Sequence, residues 1–323
     1  MALYNRLYFL SIYHAKPSVP LSEQSWEDMT HRGSISYLDL ETPTKAPRTI
    51  LEGLYMPDGI AISKSQGLIF WTNMGTPGKN DGSIHCARLD GSEARSLLPP
   101  GAINTPKQIV LDEEAETLYF CDREGMRVHR CKVDGSAHEI LIQTGDWRVE
   151  EERRDATRWC VGIAVSKTLG KIFWTQKGGP KSGAGRIFSA NIELSAGAAA
   201  ASRPDVEVVA ERLPEPIDLE MDEGSGVLYW TDRGEFPFGN TLNRKHLVDH
   251  AVDSGPAAEE ILGREIIAEG FGEAIGLALD RQGGWVWVAD LCGRIWKCDA
   301  NQPGAKEKVY EDETSLLTGL ALL

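Results

Sequence analysis

Apolar and polar residues alternate along most of this chain in runs of six or seven, each stopped by a glycine- or acid-rich turn. That period predicts strands rather than helices. The clearest runs are aromatic and finish on a polar residue: Leu-Ile-Phe-Trp-Thr ending at Asn73, Leu-Tyr-Phe-Cys at Asp122, Ile-Phe-Trp-Thr at Gln176, Leu-Tyr-Trp-Thr at Asp232 and Trp-Val-Trp-Val-Ala at Asp290. Successive runs lie roughly 50–58 residues apart, the period of a large propeller repeat. A small apolar strand precedes each one: 58–63, 107–112, 161–166, 217–222 and 275–280. Most are followed by a third strand, as at 82–91, 126–135, 185–192 and 293–300, and some by a recognisable fourth, as at 94–98 and 138–142. Asp90-Gly91 and Asp134-Gly135 suit tight hairpins, because glycine accepts the positive φ those turns need.

Five units result, near 57–98, 106–142, 160–210, 216–267 and 274–310. The ends supply a sixth: 317–323 reads as a first strand with nothing after it, and 6–51 as later strands with no first strand before them. The expected fold is all-β, one domain over 1–323: a six-bladed β-propeller with four antiparallel strands per blade. The C-terminal strand pairs with the N-terminal blade and leaves no open edge in the ring. The acids that end the aromatic strands are expected to bind backbone N–H groups, since buried polar groups find partners.

Tyr229-Trp230-Thr231-Asp232 resembles the YWTD signature of the six-bladed propellers in low-density-lipoprotein-receptor-type proteins. The resemblance covers essentially the whole chain, with the motif degenerate in the other four units. Those receptor propellers are extracellular and flanked by disulfide-rich modules. Here there is neither a signal sequence nor such a module, so a free-standing, cytoplasmic relative is expected.

Charge and cysteine usage narrow the partners. The net charge of −14 offers no basic face, which disfavours nucleic acid and anionic membrane. No run approaches the ~18 apolar residues of a membrane span. The six cysteines form no CxxC and read as reduced and structural.

Loops joining first to second strands share a face with those joining third to fourth, and on that face most are short, the Ala-rich 195–203 excepted. The opposite face carries 13–32, 73–81, 176–184 and 232–240, and the inter-blade connection 143–160, read as the longest in the chain. Long loops on one rim are where function is expected. They hold His14, Trp26, Trp147, Trp159, Phe236 and Phe238, expected to line an apolar substrate pocket with the strand-end residues Asn73 and Gln176. Below them, the starts of the first strands contribute Asp58, Lys107, Gln108, Asp218, Glu273 and Thr318. Lys107, Asp218, Asp58 and Glu273 are the catalytic candidates. The alternative is a salt-bridged, water-filled channel, because buried charges need partners. Lys107 is suited to donate to a carbonyl or oxyanion.

No G-x-S-x-G elbow, H-E-x-x-H, P-loop or dinucleotide fingerprint occurs in a usable context. His85 and His129 fall on strands and read as structural; the His246/His250 spacing makes no metal site on a strand. Free-standing propellers of this kind resemble fungal specialised-metabolism proteins, among them hetero-Diels–Alderases that join a tropolone or quinone methide to a terpene olefin. That resemblance implies a small-molecule enzyme without cofactor or metal, acting on apolar substrates through orientation and a carbonyl-polarising donor. Two alternatives stand beside it: a non-catalytic propeller that binds a protein partner across the rim, and a metal-dependent lactonase-like hydrolase. The lactonase reading conflicts with an ammonium at Lys107, since hard metals take oxygen ligands.

Overall fold

The computed structural model describes residues 5–14, 25–42, 46–235, 238–247 and 264–323, the side chains of Trp26 and Asp28 excepted. The chain opens with β1 (Arg6–His14), β2 (Gly33–Asp39) and β3 (Arg48–Leu54). Five four-stranded units follow. The first is β4 (Pro57–Ser63), β5 (Leu68–Asn73), β6 (Gly82–Arg88) and β7 (Arg95–Ile103); the second is β8 (Pro106–Asp112), β9 (Thr117–Asp122), β10 (Arg127–Lys132) and β11 (Glu139–Gln143). The third is β12 (Cys160–Ser166), β13 (Lys171–Gln176), β14 (Gly185–Asn191) and β15 (Glu207–Leu213); the fourth is β16 (Pro216–Asp222), β17 (Val227–Asp232), β18 (Thr241–His246) and β19 (Glu265–Glu269). The fifth is β20 (Ala274–Asp280), β21 (Trp285–Asp290), β22 (Arg294–Asp299) and β23 (Lys306–Glu311). The last strand, β24 (Ser315–Leu322), pairs antiparallel with β1, from Leu7 opposite Leu322 to His14 opposite Ser315, and completes the sixth sheet in the order β24-β1-β2-β3. The fold is therefore an all-β six-bladed propeller closed by its two ends.

The period-two pattern explains the packing. On β17, Val227 and Tyr229 face the next blade and pack with Leu277, Val286 and Val288, while Leu228 and Trp230 face the previous one and pack with Phe173 and Ile187. Every residue of β17 is buried, so each aromatic strand fills two inter-blade cores at once. Trp71, Trp174 and Trp230 are among the largest fully buried side chains.

The threonine of the signature joins blades. Each first strand in the five continuous blades breaks register near its start, for example between Pro57 and Ile60, Cys160 and Ile163, and Pro216 and Leu219. The backbone N–H released there reaches the threonine of its own second strand: Gly59 to Thr72 Oγ1 at 2.9 Å, Gly162 to Thr175 at 2.7 Å and Asp218 to Thr231 at 3.1 Å. The same hydroxyls donate to the following blade, at the carbonyls of Lys107 (2.8 Å), Ile217 (2.9 Å) and Ile275 (2.5 Å). The strand-end acids hold the inter-blade connections. Asp122 accepts from the N–H groups of Asn104 and Thr105, Asp232 from those of Glu215 and Gly234, and Asp290 from those of Gly272 and Cys292.

The six cysteines are free, and all but Cys292 are buried. Among the described residues no helix is long and apolar enough to cross a membrane. The connection 143–160 is not the longest: between strand ends it spans 144–159, 16 residues, against 18 in 15–32 and in 247–264, and most of the last, His250 included, lies outside the described residues. The short fourth strand carries too little alternation to show its own start.

Thr231→Val is expected to leave a buried N–H and a buried carbonyl without partners and to destabilise the fold by about 2 kcal/mol, read as a lower denaturant midpoint at unchanged m-value. A chain ending at Asp312 bares the edge of β1 and removes Leu317 and Leu320 from their core cluster. It is expected to lose the cooperative transition followed by circular dichroism.

Candidate functional site

The bulges set which side chains reach the channel. The second residue of each first strand stands at the throat beneath the long loops: Asp58, Lys107, Val161, Ile217 and Ile275, with Thr318 in the matching place on β24. One level deeper stand Gly59, Gln108, Gly162, Asp218, Gly276 and Gly319. Glycine is required where the neighbouring first strand comes close: a Cβ on Gly162 would lie 2.0 Å from the Ile217 carbonyl oxygen, and one on Gly276 2.3 Å from that of Thr318.

The throat is divided. Val161, Ile217 and Ile275 form an apolar cluster with Leu291 against it. Asp58, Lys107 and Thr318 form the polar side. Lys107 Nζ lies 2.5 Å from Asp58 Oδ1 and 3.1 Å from Met74 Sδ, and Gln108 Nε2 donates to Asp58 Oδ2 at 3.2 Å. An ammonium has three protons, so one remains for a ligand. Above the throat a cavity of about 190 Å³ opens among the long loops, bordered by Ile12, Met56, Met74 and Pro77 together with Lys107, Arg123 and Arg233. Met56 and Glu273, in corresponding places before their first strands, hold left-handed backbone at φ 50° and 63°. Such positions are strained for residues with a Cβ.

Charged residues at the mouth pair with others behind it. Arg233 Nη2 lies 2.5 Å from Glu215 Oε1, Lys177 Nζ is 2.7 Å from the same oxygen, and Arg123 Nε donates to Glu124 at 2.8 Å. Trp159 packs beneath Arg123 and Lys177, at 5.4 and 5.5 Å from its ring, and donates through Nε1 to the Arg153 carbonyl.

The sequence-based candidates do not all meet. Lys107, Asp58 and Thr318 border the mouth. Asp218 and Gln108 do not: they sit one residue further along their strands and border a second cavity, of about 230 Å³, at the short-hairpin end of the channel. Asp218 accepts from the N–H groups of Leu219 and Leu277, and burial drives its carboxyl well above the usual range. Glu273 lies one residue before its strand, half-buried, 3.8 Å from Arg233. The structure thus does not bring Lys107, Asp58, Asp218 and Glu273 together on one floor: Lys107 and Asp58 pair at the throat, Asp218 is one strand position deeper, and Glu273 precedes its strand.

The expected aromatic lining is corrected too. His14 is held between Ser34 and Ser315, 2.7 Å from each hydroxyl. Trp147 packs under Arg148, Phe238 is exposed, and Gln176 accepts from Arg186 at 3.1 Å. Asn73 is buried with Oδ1 unpartnered. None of these borders the mouth, whose apolar wall is aliphatic and thioether. Phe236 and the Trp26 side chain lie outside the described residues. Sequence reasoning missed Arg123, Lys177 and Arg233. The signal was their position: each follows directly the polar residue that ends a second strand, as do Met74 and Leu291. Among the described residues no three His, Cys, Asp or Glu side chains gather as a metal site.

Burial lowers the Lys107 ammonium to about 8, opposed by Asp58 and assisted by Arg123. The folded protein therefore releases this proton before the unfolded chain does, near the ordinary ~10.4. The penalty of burying the charge is fully present below pH 8 and relieved as the pH rises towards 10. Wild type is expected to gain about 2 kcal/mol relative to Lys107→Met between pH 8 and 10, with parallel curves from 7 to 7.5, measured by urea unfolding.

No family model matches the chain. The 3-hydroxyacyl-CoA dehydrogenase-like protein LAM1 of Cochliobolus heterostrophus is 50% identical over 275 residues, which cover 85% of this chain and 58% of that protein. The chain thus spans little more than half of that relative. Low-density lipoprotein receptor-related protein 1 of Pyricularia oryzae is 44% identical over 281 residues, covering 85% of this chain and 88% of that protein. Human low-density lipoprotein receptor-related protein 5 is 30% identical over 120 residues, 36% of this chain and 6% of that protein. Among solved structures, a nidogen/laminin complex superposes with a TM-score of 0.69 at 16% identity over 98% of both chains. TolB from Acinetobacter baumannii superposes with 0.63 at 10% identity, over 98% of this chain and 66% of that one. These two likenesses show the fold alone. With its Tyr-Trp-Thr-Asp strand, six closed blades and Pyricularia relative, the chain belongs to the low-density-lipoprotein-receptor class B, or YWTD, family of propellers.

Proposed function

We propose that this propeller is a small-molecule enzyme of specialised metabolism, of the cyclase type, working at the long-loop mouth. The divided throat carries the proposal: a buried ammonium with a proton to give stands opposite an aliphatic wall of Val161, Ile217, Ile275 and Leu291. That arrangement suits a reactive enone or quinone methide whose carbonyl oxygen takes the Lys107 proton as a hydrogen bond. Polarising the carbonyl lowers the energy of the electron-poor partner. The aliphatic wall orients an olefin beside it, so that two C–C or C–O bonds form without a nucleophile or leaving group. Asp58 keeps Lys107 in place, and Met74 accepts a second Nζ proton at 3.1 Å.

The dehydrogenase-like name of the Cochliobolus relative is not carried over. An all-β propeller has no strand–turn–helix unit to seat a dinucleotide phosphate at a helix N-terminus.

The test is an ortho-quinone methide released in solution with a trisubstituted olefin, followed by chiral chromatography. The wild-type protein is expected to give an enantiomerically enriched cycloadduct at least tenfold faster than buffer. Lys107→Met is expected to lose most of the acceleration, and Ile275→Trp, which fills the mouth, all of it. Racemic product at the buffer rate with wild type overturns the cyclase reading. One tightly retained protein partner on the same rim would then mark a recognition propeller.

A further inference from the structure

The mouth carries more positive charge towards its opening than catalysis by one lysine requires, in a chain whose net charge is −14. Lys107, Arg123 and Arg233 border the cavity, with Asp58 the one acid on its wall among the described residues. The acids closest to the two guanidinium groups, Glu215 and Glu124, lie behind them, and only Glu273, 42% exposed and 3.8 Å from Arg233, stands towards solvent among the acids described there. The Glu215 side chain is fully buried and that of Glu124 is 9% exposed, whereas Arg123 and Arg233 are 21% and 24% exposed. Arg123 also presses down the proton affinity of both Lys107 and Lys177, and Arg233 that of Lys177. Like charges are held together here at a cost that a bound anion relieves. Ile275 and Leu291, on the blade next to that of Arg233, give the same cavity an aliphatic wall.

We infer that the mouth selects an amphipathic small acid, its carboxylate held by Arg123 and Arg233 and its apolar body laid against Ile275 and Leu291. A guanidinium presents parallel N–H donors that match the two oxygens of a carboxylate, which a lysine does not. Lys107 is left facing the middle of the molecule, where the reacting carbonyl of the proposed function would sit. This inference rests on that reading for the location of the ligand, and adds the chemical class of what enters.

The experiment uses the full chain and three probes of equal length, octanoate, 1-octanol and octyltrimethylammonium, titrated calorimetrically at pH 7. Octanoate is expected to bind at least tenfold more tightly than octanol, octyltrimethylammonium not at all, and octanoate affinity to fall as salt rises from 50 to 500 mM. Arg123→Met with Arg233→Met is expected to weaken octanoate at least tenfold and leave octanol unchanged. Because that double variant leaves the buried Glu215 carboxylate with Lys177 and the Lys181 N–H but no guanidinium, a readout on wild type stands beside it: saturating octanoate should shift the half-maximal pH of Lys107 acylation upward, by mass spectrometry of the modified peptide. Octanol binding as well as octanoate, both blocked by Ile275→Trp, overturns the acid and leaves the mouth intact. If none of the probes binds, or if Ile275→Trp leaves octanoate binding unchanged, the mouth is wrong as well.

Discussion

One threonine hydroxyl, present in three of the six blades, fixes the joint between neighbouring sheets on which the geometry depends. It accepts the N–H freed by the bulge of its own blade and donates to the carbonyl of the next blade's first strand. Both groups are buried, and either one left unpaired would cost about 1–3 kcal/mol. The hydroxyl therefore sets the spacing between blades as well as binding them. Cys121 replaces it in the second blade, where Sγ lies 3.2 Å from the Gly162 carbonyl, and Ala289 leaves the fifth blade without it. The aspartate that follows closes the same joint from outside by gathering the N–H groups of the inter-blade connection.

That joint also makes the site. The bulge it satisfies turns one side chain per blade into the throat, so the identity of six residues decides the chemistry at the top of the channel. Three are aliphatic and three polar, on opposite sides. The rigidity comes from below, where alternating aromatics lock each sheet into both neighbours. The charged rim is an outer layer on this frame. Arg123, Lys177 and Arg233 leave the ends of second strands whose positions the aspartate and glutamine residues hold. A site built on strand ends keeps a proton donor and an apolar wall at fixed separation, which loops alone do not provide.

The blades could be read from the chain because an aromatic run with a polar end recurs on one period, and the unpaired first strand at the C-terminus demanded a partner at the N-terminus. The role of the strand-end acids was legible for the same reason, since a buried carboxylate must find donors. The site was legible only in part. Lys107 and Asp58, both charges at strand starts, do meet in the fold, whereas Asp218 and Glu273 stand apart from them. A bulge displaces side chains by one position, and no local pattern marks it. The loop aromatics misled for a different reason: Trp159 and His14 carry polar atoms that found partners in the scaffold, and so turned away from the opening.

Period and alternation were thus enough to determine blade number, strand order and closure, because they are local and repeated and each strand must bury both faces. Tertiary structure alone decided which residues share the throat, that its polar side divides from its aliphatic side, and that Glu124 and Glu215 lie behind the arginines. Those facts depend on how six strand starts meet around an axis, and the residues concerned are separated by up to 260 positions, from Asp58 to Thr318. No window of sequence contains them together.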